Sequence, residues 1–210
     1  MATDRGLDRV VFFTDAVVAI AITLLILPLV DSVPDAANRG QDVEVYFQEN
    51  FGQALGFVIS FVVIARLWRG HHSLFQHVRA YNRRLLSLSL YWTFTIAVLP
   101  LPTAIIAQAL IDRAAIAVYV GTMTASSILL TVMTVVVHRN PDVEDPDNPI
   151  SVSIRAGSFA STSLFMAALI VCVVLGSIWP MFILMLGRPV TALFQRRLTR
   201  RDTASAPSVT

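Results

Sequence analysis

The chain has 210 residues, of which 55% are hydrophobic and 14% charged, and its mean hydropathy is +0.67. Soluble domains carry about 25% charged residues, so this composition excludes an ordinary soluble protein and indicates an integral membrane protein. All sixteen basic residues are arginines. They lie at the ends of apolar segments rather than in one patch, so the pI near 9.1 does not indicate nucleic-acid binding. The single cysteine, Cys172, excludes a disulfide within the chain.

The apolar pattern predicts an all-α polytopic membrane protein with six transmembrane helices, since about 20 residues cross roughly 30 Å of hydrocarbon. The predicted spans are residues 9–30, 51–68, 85–110, 114–137, 155–175 and 178–194. They form a single domain over residues 1–201, followed by a disordered cytoplasmic tail at 202–210. Pro100 and Pro102 predict a kink in the third span, and we expect neighbouring helices to satisfy the freed carbonyls.

The arginines predict the orientation of these spans, because cytoplasmic flanks are rich in basic residues. With the N-terminus inside, fourteen arginines fall on inner flanks, and only Arg39 and Arg113 fall outside. We therefore expect a multi-pass membrane protein with both termini cytoplasmic. The absence of lysine is typical of a GC-rich bacterial genome, for which the membrane would be the inner one. A cleaved signal peptide is the competing interpretation of the first span, but Asp15 interrupts that long apolar run and no clear small-x-small site follows it.

Two acidic segments lie between the predicted spans. Residues 31–50 are expected to form an outer loop, which either concentrates cations at a pore mouth or is simply solvated. Residues 141–149, PDVEDPDNP, are expected to form a mobile connector on the cytoplasmic side.

The first span carries a stripe of residues that suits a pore. At about 100° per residue, its members share an arc of about 100°; they are Ile20, Thr23, Leu24 and Leu27. In a cyclic oligomer, rings of the three aliphatic residues would form a hydrophobic constriction, and a ring of threonine hydroxyls would offer oxygen to a passing cation. The alternative is helix packing or lipid contact, with the threonine bonded to its own helix.

Asp15 is an ionisable residue inside a span, which indicates either a function or a buried partner. It points away from the pore stripe, so we expect partners at the inner end of the second span, where Arg69, His71 and His72 lie, or from Arg9. Such a network either fixes helix packing or takes part in gating. The sequence has no TVGYG filter, P-loop or catalytic triad, so neither an enzyme nor a cofactor is expected.

Two motifs carry a resemblance to a known family. The first span resembles the signature R-x-x-x-F-S-D of the transmembrane protein 175 family, which comprises lysosomal potassium channels and prokaryotic relatives. The signature is carried here by Arg9, Phe13, Thr14 and Asp15, with threonine in place of serine. The stretch LWRGHHSLF resembles the end of the family's second helix, where Trp68 is followed three residues later by His71.

The resemblance implies a homotetramer in the lipid bilayer, with the first helices lining a central pore. It implies a weakly to moderately selective channel for K⁺ and other monovalent cations. Ile20 would form the narrowest ring, with Leu24 and Leu27 farther toward the outside and Thr23 as the selectivity layer. The signature residues, together with Trp68 and His71, would form the network that braces the pore helix.

Three other functions remain open at the level of sequence. A proton-coupled or proton-permeable transporter would use Asp15 and His71 as a relay. A membrane enzyme or cofactor protein would need a site that no motif indicates. A non-conducting scaffold would show no ion flux and would tolerate loss of the Asp15 charge.

Overall fold

The computed structural model describes residues 4–107 and 112–181, and the regular elements within these ranges are helices. In chain order they are α1 (Asp4–Leu24), α2 (Leu27–Asn38), α3 (Val43–Glu49), α4 (Phe51–Phe75), α5 (Arg83–Val98), α6 (Pro100–Ala107), α7 (Arg113–His138) and α8 (Val152–Leu175).

Five segments of the described chain are long and apolar enough to cross a membrane. They are Gly6–Asn38, Phe51–Phe75, Arg83–Ala107, Arg113–His138 and Val152–Leu175. They coincide with the first five predicted spans, although the first two extend seven or eight residues beyond the predicted ends. Most of the predicted sixth span, at 178–194, and the predicted tail, at 202–210, lie outside the described residues.

The prediction of an outer loop over residues 31–50 is wrong, because most of this segment is helical. Pro28 stands in the first turn of α2, where its missing N–H costs nothing, so the helix restarts there. Gly40 follows the end of α2 with φ of +65°, a conformation that glycine adopts without strain. The hydroxyl of Tyr46 then donates to the carbonyl of Leu29 at 2.6 Å, which ties α3 back against α2.

The first membrane segment is broken between α1 and α2. The amides of Leu25 and Ile26 bond to carbonyls only three residues back, at 3.3 and 3.4 Å, so the chain tightens into a single narrow turn. Leu25 is buried at this break. The helical register of α1 therefore does not continue unchanged into α2.

The third segment is interrupted where the kink is predicted, because α5 ends at Val98 and α6 begins at Pro100. In a regular helix the carbonyl of Ile96 would accept the N–H of residue 100, but Pro100 has no N–H to donate. The Ile96 carbonyl accepts the N–H of Leu99 instead, at 3.2 Å. The expectation that a neighbouring helix supplies the donor is wrong for this carbonyl, since a tightened turn supplies it.

α7 occupies the centre of the helix bundle and packs mainly on α8 and α5. Hydroxyls cross the α7–α8 contact: Thr131 bonds Thr162 at 2.8 Å, and Ser127 bonds Thr162 at 3.0 Å. Small polar residues allow close approach between membrane helices, and their hydrogen bonds hold the helices together. α1 packs on α5 and α4 and contacts α7 and α8 little or not at all.

The connector over residues 141–149, which is predicted to be mobile, is instead anchored. Its residue Val143 is buried and accepts the amide N–H of Arg79 at 2.9 Å. The Asp145 amide donates to the carbonyl of His77 at 2.9 Å, so the connector pairs with the turn that follows α4. The acidic, proline-rich composition predicts mobility, but the apolar Val143 gives the segment a buried contact.

Candidate pore helix and its supporting network

The stripe predicted to line a pore is uncovered in the single chain. Ile20 is 58% exposed, Leu24 41% and Leu27 44%. The opposite side of α1 is buried, as shown by Val18 and Ala21, which are 3% and 1% exposed. The helix therefore has one side packed on the subunit and one apolar side that this chain does not cover.

Thr23 lies on the exposed side, and its hydroxyl donates to the carbonyl of Ile20 at 2.8 Å. The sequence left open whether this threonine bonds to its own helix, and the structure shows that it does. Because the hydroxyl proton is used in that bond, the oxygen lone pairs remain as acceptor sites. The bond therefore leaves Thr23 able to offer oxygen to a cation.

Leu27 belongs to α2, beyond the break at Leu25 and Ile26. The angle calculated for it along one continuous helix therefore does not apply, although its side chain is exposed like those of Ile20 and Leu24. Arg9 and Phe13 also lie on the exposed side, and Arg9 makes no ion pair within residues 4–107 and 112–181.

Asp15 is held by Trp68, whose indole N–H donates to the Asp15 carboxylate at 2.8 Å. The prediction that His71, His72, Arg69 or Arg9 would be the partner is wrong. His71 points elsewhere, and His72 stacks on the Trp68 ring at 5.4 Å. A neutral donor can satisfy a half-buried carboxylate, so a search for opposite charge misses this pair.

Thr14 is buried and joins α1 to α5. Its hydroxyl donates to the carbonyl of Val10 at 2.9 Å and lies 3.4 Å from the hydroxyl of Thr93. Thr93 in turn donates to the carbonyl of Ser89 at 2.8 Å. The hydroxyl at the third signature position therefore contacts a hydroxyl on a neighbouring helix.

His71 joins α4 to α5. Its ring stacks between Trp92, at 4.3 Å, and Phe75, at 4.4 Å, and its Nε2 lies 3.3 Å from the Ser89 hydroxyl. The side chain is fully buried. It packs like an aromatic core residue and makes no contact with Asp15.

Sequence reasoning missed the α5 part of this network, formed by Ser89, Trp92 and Thr93. The signal was present in RLLSLSLYWTF, where these residues recur at spacings of three and four and so share one helical face. Polar residues repeated at that spacing inside an apolar span indicate contact with another helix. Within the described residues, no group of three histidine, cysteine or acidic residues is placed to hold a metal ion.

Comparisons with known proteins find similarity over the region that contains these residues. The family described as the endosomal/lysosomal potassium channel TMEM175 matches residues 9–100, which contain both motifs and α5. A protein of Streptomyces collinus named potassium channel is 39% identical over 57% of this chain and 59% of its own length. Another of that name from a Chryseobacterium is 28% identical over 62% of this chain and 65% of its own length.

Vertebrate proteins match a shorter region. The bovine protein named endosomal/lysosomal proton channel TMEM175 is 43% identical over 34% of this chain and 16% of its own length. The chain thus spans less than two thirds of the length of each of these three curated relatives.

The fold is also found among solved structures. The crystal structure of a lysosomal potassium-selective channel TMEM175 homolog from Chamaesiphon minutus superposes with a TM-score of 0.68. The match covers 90% of this chain and 98% of the other at 23% identity, and at that identity it shows the fold alone. The signature, the Trp68 and His71 motif and the helical fold therefore agree in making this chain similar to the TMEM175 family, whose model matches residues 9–100.

Proposed function

We propose that this protein is a potassium-permeable cation channel of the bacterial inner membrane, with its pore on α1. The observation that carries the proposal is the uncovered side of α1, where Ile20, Leu24 and Leu27 are all more than 40% exposed. The names of the bacterial relatives, potassium channel, support the choice of ion.

Lipid contact alone explains this side of α1 less well than a pore does. The exposed face of α8, which includes Ile170 and Val174 at 59% and 66% exposure, has one hydroxyl in its middle, on Ser163. The uncovered side of α1 carries the hydroxyl of Thr23 and, in addition, the charged and exposed Arg9. Polar groups on an exposed side of a membrane helix favour contact with water or another protein chain.

A homotetramer would enclose the pore, because one stripe cannot surround a path and a cyclic assembly supplies the remaining walls. Rings of Ile20, Leu24 and Leu27 would then form a hydrophobic constriction. Moving a dehydrated cation into such a ring costs several kcal/mol, so the ion keeps part of its hydration or the ring widens. Weak to moderate preference for K⁺ over other monovalent cations follows, because no carbonyl filter replaces the lost water.

Thr23 would supply the polar layer next to the constriction, since its lone pairs remain available beside the bond to Ile20. The arginine distribution supports an orientation with both termini in the cytoplasm. In this orientation α4 and α7 end at the cytoplasmic side, and α8 begins there.

The proposal is tested by liposome flux of K⁺ against Na⁺ for the wild type and Ile20→Asn. The polar side chain should wet the constriction, so we expect larger flux and a smaller preference between the two ions. Ile170→Asn on α8 is the matched control, because the two isoleucines are 58% and 59% exposed. Unchanged flux in Ile20→Asn, or an equal change in both variants, would remove Ile20 from the conducting path.

Proton transport is the second candidate, because the vertebrate relatives are named proton channels. A relay from Asp15 to His71 lacks a direct connection among the described side chains. The Asp15 partner is an indole N–H, which donates and cannot accept a proton. Acidification of the same liposomes under a pH gradient, abolished by Asp15→Asn and by His71→Phe, would support the relay over the channel.

A further inference from the structure

A cavity of about 240 Å³ lies between α4, α7 and α8, on the part of the subunit away from α1. Its volume is that of roughly eight waters at liquid density, so it exceeds an ordinary packing defect. On α4 its lining runs from Arg66 to Ser73, and on α8 from Ile154 to Ser161. At a rise of 1.5 Å per residue, these positions lie roughly 3 to 14 Å from the helix ends on that side. The cavity therefore lies near one membrane surface, within reach of lipid headgroups.

The lining has the composition of an anion site. Among the described residues, Arg66 lines it and no acidic residue does. Half of the lining residues carry a hydroxyl, and the rest include apolar side chains such as Leu67 and Leu130; the six with a hydroxyl are Ser73, Ser127, Thr131, Thr134, Ser158 and Ser161. Guanidinium and hydroxyl donors together suit a phosphate group, which accepts several hydrogen bonds and carries negative charge.

These hydroxyls divide into a fixed set and an available set. Thr131 donates to the carbonyl of Ser158 at 3.1 Å, and such bonds hold the α7–α8 wall in place. Ser73 and Ser161 line the cavity and make no side-chain hydrogen bond within the described part of the chain. Arg66 has a contact within the protein, and its positive charge acts on the cavity electrostatically in addition to that contact.

The cavity is partly open, and the exposed Gly70 and Gly157 line it without a side chain that could close it. An opening at this depth faces the bilayer, so a lipid reaches it more readily than a soluble anion does. We propose that the cavity binds the phosphate of an anionic phospholipid. The lipid would lie in the cytoplasmic leaflet, and this assignment of the leaflet rests on the orientation given with the proposed function. A zwitterionic lipid would bring its own cation toward Arg66, so an anionic headgroup is preferred.

The proposal is tested with the full chain in nanodiscs of phosphatidylcholine, with and without phosphatidylglycerol. The melting temperature and the number of phosphatidylglycerol molecules retained in native mass spectrometry are measured. We expect phosphatidylglycerol to raise the melting temperature of the wild type, and Arg66→Gln to lose that rise and the retained lipid. Arg69→Gln is the matched control, because Arg69 is exposed on the same helix but does not line the cavity. No rise in the wild type, or equal loss in both variants, would overturn the site.

A second variant keeps the charge and closes the cavity. A Cβ added at Gly157 meets nothing within 4 Å, so Gly157→Leu should fold and place its side chain at the opening. A Cβ at Gly121 on α7 is equally free of contacts, so Gly121→Leu is its control. Gly157→Leu should lose the retained lipid and Gly121→Leu should keep it. Retention by Gly157→Leu would overturn the cavity as the binding place.

Inorganic phosphate added to nanodiscs of phosphatidylcholine distinguishes a lipid from a soluble anion. We expect no rise in melting temperature, and an Arg66-dependent rise would overturn the lipid as the occupant. These measurements record binding rather than conduction, so they remain decisive even if the liposome flux experiment contradicts the channel.

Discussion

The hydrogen bond from Trp68 to Asp15 is expected to contribute measurably to the stability of the subunit. Trp68→Phe removes the donor at 2.8 Å but keeps an aromatic ring to stack on His72. A hydrogen bond to a charged group is worth about 1.5–3 kcal/mol, and its loss leaves a half-buried carboxylate without a donor. We therefore expect Trp68→Phe to lower the free energy of unfolding by about 1.5–3 kcal/mol.

A double-mutant cycle separates this bond from other effects of the substitutions. Asp15→Asn keeps an acceptor oxygen but loses the charge, and a neutral hydrogen bond is worth about 1 kcal/mol. Asp15→Asn should lower the free energy of unfolding by a smaller amount, or not at all, when Trp68→Phe has already removed the donor. We expect a coupling energy of about 1–2 kcal/mol between the two positions, measured by circular dichroism during reversible unfolding in mixed micelles.

The matched control uses the other tryptophan near the network. The indole N–H of Trp92 is buried and has no hydrogen-bond partner in the described part of the chain. Trp92→Phe should therefore show no coupling to Asp15→Asn beyond about 0.5 kcal/mol, the usual limit of additivity. If the effects of Trp68→Phe and Asp15→Asn on the free energy of unfolding are equally additive, the hydrogen bond between these residues does not stabilise the subunit, and the role given to Asp15 above is refuted.

Three further substitutions test other parts of the fold. Tyr119→Phe removes a buried 2.8 Å hydrogen bond between α7 and α4 and should cost about 1 kcal/mol in the same unfolding assay. Gly176→Ala places a side chain at φ of +63° at the end of α8 and should cost about 1–2 kcal/mol, whereas no cost would refute the strained conformation. Glu144→Ala removes the acceptor of the Ile150 amide, bonded at 2.8 Å, and should speed hydrogen exchange of that connector, whereas Asp142→Ala, at an exposed position, should not.

Hydropathy and arginine placement were sufficient to predict five membrane segments, because a span must be apolar over its whole length whatever it packs against. The break at Pro100 was equally predictable, since proline lacks the N–H wherever it stands. Residues 31–50 show where composition does not predict secondary structure. Their acidic side chains predict a solvated loop, but a solvated helix has the same composition, and α3 is held by Tyr46, a neutral residue.

The partners of the polar motif residues could not be predicted for a different reason. The sequence identifies Asp15 as a group that needs a donor, but many residues near the end of α4 can donate. Which one reaches it depends on the rotation of α4 about its axis, a tertiary quantity. That rotation places Leu67 and His71 against the core and turns Trp68 toward α1.

The three consecutive signature residues on α1 have separate roles because of helix geometry. Successive residues are about 100° apart, so Phe13, Thr14 and Asp15 point in three directions around the helix. Phe13 is 53% exposed, Thr14 contacts α5 and Asp15 contacts α4. Two fixed contacts in different directions define the rotation of a helix about its own axis. The hydroxyl and the carboxylate together therefore determine which side of α1 stays uncovered, and Ile20, less than two turns further along, lies on that side.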